Sequence, residues 1–157
     1  MSNRVWIYSS LKKFSDDVES KISDDLNSFL KSWSAHGIAL SASFEMLHHH
    51  LIVIKADEDQ AVASGCSIDK QVQFMKELGR KYDLDFFNRL ILAYTKDGEF
   101  FICSSSQIKQ LLENQILNEN SLVFNLSVAT EDEYRNNFLI PIKNTWLSRY
   151  LIQNSFQ

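Results

Sequence analysis

The residue types and spacing best suited to chemistry occur in the run Gly65-Cys66-Ser67-Ile68-Asp69-Lys70. It stands where an amphipathic helix begins, after an apolar strand and a short acidic stretch. The first backbone N–H groups of a helix have no intrahelical partners, so such a start can accept an anion. A thiolate placed there is stabilised and its pKa can fall. Gly65, Cys66, Ser67 and Asp69 therefore form a candidate site for a small anion or for a reactive sulfur. The same residues also describe a plain helix start, with Cys66 as a small buried side chain, Ser67 as N-cap and Asp69 facing the positive end of the dipole.

A second candidate pair is Asn88-Arg89. Arginine offers a planar fork to a carboxylate or phosphate, and it can equally pair internally with Asp85 or Asp69. Arg89 opens the strand that follows the helix, where it could lie near the Gly65 site. His36 could serve as a base, or simply favour the C-terminal end of the preceding helix. His48 and His50 would share a face if a strand ran through them. They would supply only two metal ligands, and no third is placed by spacing. A polar hairpin tip is the preferred reading, and no metal or other cofactor is expected. Asp57, Glu58, Asp59, Asp69, Asp83 and Asp85 read as cap and loop residues. Phe86-Phe87 puts one ring where it can leave the core and line a pocket or an interface.

These residues hang on a legible series of elements. Val5 to Tyr8 predicts a strand. Ser15 caps a helix whose apolar residues Val18, Ile22, Leu26, Phe29, Leu30 and Trp33 share a face, and Gly37 is expected to end it. Alternation from Ile38 to Met46 predicts a half-buried strand, and Leu51 to Ile54 its hairpin partner. Ile68, Val72, Met75, Leu78 and Tyr82 give a second helical stripe, interrupted by Gly79. Arg89 to Tyr94 and Phe100 to Ile102 flank the turn signal Lys96-Asp97-Gly98. After Ser104 come a short helix, a strand at 121–124, a helix start at Thr130, an extended Ile140 before Pro141 and a closing helix near Trp146.

The order strand, helix, strand, strand, helix, strand predicts an α+β fold. The expectation is a ferredoxin-like βαββαβ sandwich with an antiparallel sheet and both long helices on one face. Residues 1–157 are read as a single domain, with a core of about 1–103 and a packed C-terminal α/β extension of about 104–157.

Composition narrows the function classes. The chain has 157 residues, 45% of them apolar and 23% charged, with a net charge of −4. That balance suits one globular core and argues against nucleic acid as a partner. No apolar run is long enough to cross a bilayer. Cys66 and Cys103 are too few for a disulfide framework or a zinc knuckle, and a reducing cytoplasm is the expected location.

Six segments carry a family resemblance: Val5–Tyr8, Ala35–Gly37, Gly65–Lys70, Asp85–Arg89, Val123–Asn125 and Pro141–Trp146. Together they resemble a small family of Bacteroidetes-type bacteria whose members are often labelled "ABC transporter ATPase". The resemblance spans nearly the whole chain and implies kinship without supplying catalytic residues. The label itself meets a chemical obstacle. A phosphate-wrapping loop needs Gly-x-x-x-x-Gly-Lys-Ser/Thr, and none of Gly37, Gly65, Gly79 and Gly98 begins one. ATP hydrolysis is not expected. The stretch from Asp97 through Phe124 also resembles part of a small GYF-like interaction module, although the glycine and tryptophan that would make that match specific are missing.

The reading that follows is a binding or interaction domain without catalytic residues. Its partner would be a protein or a small anionic ligand, with a homodimer possible. The alternative is a small enzyme or anion-binding protein using the Cys66/Ser67 helix start.

Overall fold

The computed structural model describes residues 3–59 and 61–151. The chain runs through β1 (Arg4–Ser9), α1 (Asp16–Ser32), the short strands β2 (Ser34–Ala35) and β3 (Ile38–Ala39), β4 (Ser41–Leu47), β5 (Leu51–Asp57) and α2 (Gly65–Tyr82). It continues through β6 (Ile91–Lys96), β7 (Glu99–Ser104), α3 (Ile108–Glu113), β8 (Leu122–Phe124), α4 (Glu131–Asn137) and β9 (Leu139–Pro141). The fold is mixed α and β, and its sheets are antiparallel.

The first sheet has the order β1-β5-β4. Its register places Trp6 opposite Ile54, and Phe44 opposite Ile54 on the other side. Trp6, Tyr8, Ile52, Ile54, Ala42, Phe44 and Met46 therefore share one face, and both long helices pack there. α1 begins at Ser15, whose hydroxyl accepts from the Val18 N–H. It contributes Ile22, Leu26 and Leu30 to this core. α2 contributes Met75 and Leu78. The two helices run antiparallel: Phe29 stacks on Phe74 with ring centres 4.3 Å apart, and Asp25 accepts from Tyr82 and Lys81.

The second sheet has the order β7-β6-β8-β9. Its core gathers Leu92, Tyr94, Ile108, Leu112, Leu117, Val123, Ile142 and Leu147. The strand at 91–96, expected to join the first sheet, pairs here instead. Its partners are β7, through the hairpin at Asp97-Gly98, and β8, through Tyr94 opposite Val123. The two apolar clusters part between Phe86 and Leu92.

The second unit covers the back of the first sheet. Val5, Leu51 and Val53 are buried there. His48 stacks flat on Phe100 with ring centres 4.5 Å apart, Lys55 lies over the Tyr134 ring, and the Tyr134 hydroxyl donates to Glu45. The free edge of β1 is taken by the chain before α4: the Val5 N–H donates to the Ala129 carbonyl at 3.0 Å, and Glu131 N–H to the Asn3 carbonyl. β5 is thus central in its sheet and covered on both faces, which explains its unbroken apolar run.

Two local expectations are corrected. α1 ends at Ser32, and Gly37 lies in the loop between β2 and β3. There His36 and Gly37 adopt φ of 53° and 78°, the pair of positive values a two-residue hairpin turn needs. α2 begins two residues earlier than its apolar stripe suggests, with Ser64 as N-cap. Its buried face carries Gln71, while Val72 is only half-buried.

Candidate functional site

The helix start at Gly65 is closed by its own side chains. Ser64 Oγ accepts the Ser67 N–H, and Ser67 Oγ accepts the Ser64 N–H at 2.7 Å. These reciprocal bonds form a capping box that satisfies two of the orphan donors. Ser67 is therefore the third helical residue and buried, where the sequence suggested an N-cap. Its carbonyl accepts the Trp33 indole N–H at 2.7 Å. Cys66 is exposed, where the plain helix-start reading had it buried. Among the described residues, Gly65, Cys66, Ser67 and Asp69 line none of the three main cavities.

Asn88 and Arg89 fall elsewhere. They border a cleft of about 560 Å³ between the two sheets, a size within the usual range for ligand sites. β1 contributes Ile7 to Ser9, β6 contributes Ile91 to Ala93, and the loops at 86–89, 125–127 and 144–147 complete the rim. Of the two sequence-flagged rings, Phe86 is buried in the first core and Phe87 is exposed along the cleft. Phe87 meets Tyr8 edge to face at 5.9 Å. Trp146, half exposed at 51%, stands on the same rim.

The polar groups of the cleft include one cation and two amides whose oxygens are already occupied. Among the described residues, Arg89 is the only charged one lining it, and it makes no ion pair there, neither with Asp85 nor with Asp69. Asn88 Oδ1 accepts the Leu90 N–H, and Asn125 Oδ1 accepts the Ser127 N–H. These Asx turns occupy the amide oxygens and leave the side-chain N–H₂ groups over. Asn144 adds a third amide. Among the described residues, no Asp, Glu, His or Cys lines the cleft. Tyr8, whose pKa burial drives strongly upward, remains a neutral phenol, donating at 2.6 Å to Oε1 of the buried Gln71.

The remaining candidates serve the fold. Asp57 and Asp85 accept backbone N–H groups two residues on, and Glu58 accepts from Ala63. Asp83 is the left-handed C-cap of α2. His36 sits exposed at its hairpin tip. His48 to His50 form the turn between β4 and β5, as expected. Burial behind Phe100, reinforced by the charges of His49 and His50, lowers the pKa of His48.

Sequence reasoning flagged Asn88, Arg89 and Phe87 but missed Asn125, Asn144 and Trp146 as neighbours. Those three do lie in segments that carry the family resemblance. Compared with protein-family models, curated proteins and solved structures, the chain matches none.

Proposed function

We propose that the protein is a binding domain that holds a small anionic ligand in the cleft between its two sheets. The observation that carries this reading is the pairing of an apolar, aromatic wall with one cation and two amides whose oxygens are already occupied. One unpaired arginine and the side-chain N–H₂ groups of Asn88 and Asn125 suit a carboxylate, and Phe87 and Trp146 suit an apolar or aromatic body. The absence of a carboxylate, imidazole or thiol from the described lining residues favours binding over catalysis. Four of the six segments behind the family resemblance border this cleft, which fits kinship with that family while leaving its ATPase label without support. The β1-α1-β4-β5 arrangement, with its antiparallel β1-β5-β4 sheet, is compatible with a ferredoxin-like ancestry in which the fourth strand has moved to the second sheet.

The test is a titration of ¹⁵N-labelled protein with phenylacetate, indole-3-acetate and their uncharged amides. The expected result is shifts centred on Asn88, Arg89, Asn125 and Asn144, stronger for the acids than for the amides. Arg89→Met is expected to weaken the acids about tenfold, the order of one charge-assisted contact. Equal binding of acid and amide, or no shifts around the cleft, would refute the reading. Shifts there produced only by a protein partner would favour the interaction-domain alternative.

A further inference from the structure

A second constellation lies away from the cleft, where the 48–50 turn meets the start of α1. His49 Nδ1 stands 3.1 Å from Glu19 Oε2 and 3.3 Å from Oε1. Asp16 joins them, and one donor atom from each of the three residues lies within 4.8 Å of the other two. The residues border a shallow depression that also includes His48. We propose that Asp16, Glu19 and His49 bind a divalent transition-metal ion of the zinc class.

The donor set fits that class. Carboxylate oxygen and imidazole nitrogen are the borderline ligands that Zn²⁺ and its neighbours accept. Donors about 2.0–2.2 Å from one ion lie roughly 3–3.5 Å from each other. The His49–Glu19 edge already has that separation, and Asp16 is an exposed side chain free to close the remainder. Three protein ligands would leave a fourth position open to water.

Two further facts distinguish this group from acids that merely face a helix dipole. The imidazole comes from a different element and is anchored there: the Phe14 N–H donates to the His49 carbonyl at 2.8 Å, tying the turn to the residues just before α1. Charge is also left over. No lysine or arginine pairs with Asp16 or Glu19 among the described residues, whereas the neighbouring Asp17 has Lys21. In the sequence, His48 and His50 are the metal pair to weigh, and a polar hairpin tip is the preferred reading. The structure engages both elsewhere, His48 against Phe100 and His50 Nδ1 with the Ser10 carbonyl at 2.8 Å.

The test uses the full chain and ZnCl₂ in chelator-free buffer, followed by calorimetry. One-site binding is expected, weakened at least tenfold by His49→Asn and by Glu19→Gln. Asparagine tolerates the left-handed backbone that His49 adopts, φ 61°, so the turn should persist. His48→Asn is expected to leave the affinity unchanged. A long-range ¹H–¹⁵N spectrum of the unmutated protein gives an independent readout, with the His49 Nδ1 signal moving on addition of zinc. No binding heat, binding indifferent to His49→Asn, or binding lost equally on replacing His48 or His50 would overturn the proposal. The last result would identify a simple histidine-run chelate.

Discussion

The indole N–H of Trp33 donates to the carbonyl of Ser67 at 2.7 Å, joining the end of α1 to the first turn of α2. Trp33 is buried and also touches Trp6 and Phe29 with its rings. The end of α1 and the start of α2 are therefore clamped together. Trp33→Phe keeps most of the apolar surface and removes the bond. A loss of about 1–2 kcal/mol is expected from one buried hydrogen bond and a smaller ring. Urea unfolding followed by circular dichroism measures it, and an unchanged midpoint would mean that the clamp is energetically silent.

Gly79 behaves differently from a glycine on an exposed helix face. A Cβ at this position would meet the Leu84 carbonyl oxygen at 2.5 Å, because the chain turns back over α2 immediately after its C-cap. Helix propensity alone would make Gly79→Ala stabilising by about 1 kcal/mol. The clash is with backbone, so a net loss of about 1–3 kcal/mol is expected. Gly65→Ala, with nothing within 4 Å of its Cβ, is the matched control and should be neutral or mildly stabilising. Thermal melts of the two variants should move in opposite directions or diverge clearly.

The two thiols should differ in reactivity. Cys66 is exposed at the start of α2, while Cys103 is half-buried and burial pushes its thiol pKa up. Iodoacetamide at pH 8 is expected to modify Cys66 well before Cys103, as resolved by peptide mass spectrometry. Equal rates would contradict the described packing of β7. A labelling pKa for Cys66 below that of a free thiol, ~8.5, would revive the reactive-sulfur alternative.

Asp25 gives a pH dependence of definite sign. Partial burial opposes its charge, but the Tyr82 hydroxyl and Lys81 ammonium bond to the carboxylate and hold its pKa below the usual range. A lowered folded-state pKa stabilises the fold above the unfolded pKa of about 3.9, and that stabilisation is lost as the pH falls through the folded value. The stability gap between the parent protein and Asp25→Asn should be constant near neutrality and shrink below about pH 4. A gap that widened in acid would reverse the assignment.

Nucleotide is expected not to bind. The capping box occupies Ser67 N–H with Ser64, and the Ile68 N–H donates to the Ser64 carbonyl, so the helix start presents no continuous cradle for phosphates. Calorimetry with Mg-ATP should show no saturable site. Micromolar one-site binding would refute this and rehabilitate the ATPase label of the family the chain resembles.

Local signals in the sequence were read well because they are short-ranged. Ser15 with its stripe marks α1, Asp97-Gly98 marks the β6–β7 hairpin, and Thr130 marks α4. What periodicity could not show was partnership. Tyr94 pairs with Val123, and Leu122 with Pro141, across intervals that carry no local signature. The β2–β3 hairpin was missed because two-residue strands show no alternation. Gln71 was missed because a polar residue on a buried face looks like an error in the stripe until Tyr8 supplies its partner. The cleft was half legible: Asn88 and Arg89 stood out by chemistry, while Asn125 and Asn144 sit in loops where only three-dimensional closure brings them close.

The edge contact at β1 also bears on how the chain is made. Residues 3–5 find their outer backbone partners at 129–131, after everything from α1 to β8 has been synthesised. On a ribosome the helices and the β4–β5 hairpin can assemble early, while the outer edge of the first strand and the apolar back of its sheet stay open until α4 emerges. A nascent chain paused before that point exposes both an unpaired edge and Val5, Leu51 and Val53, the combination most prone to capture by another chain. The interval between translating β7 and translating α4 is therefore when chaperone occupancy on this protein should peak.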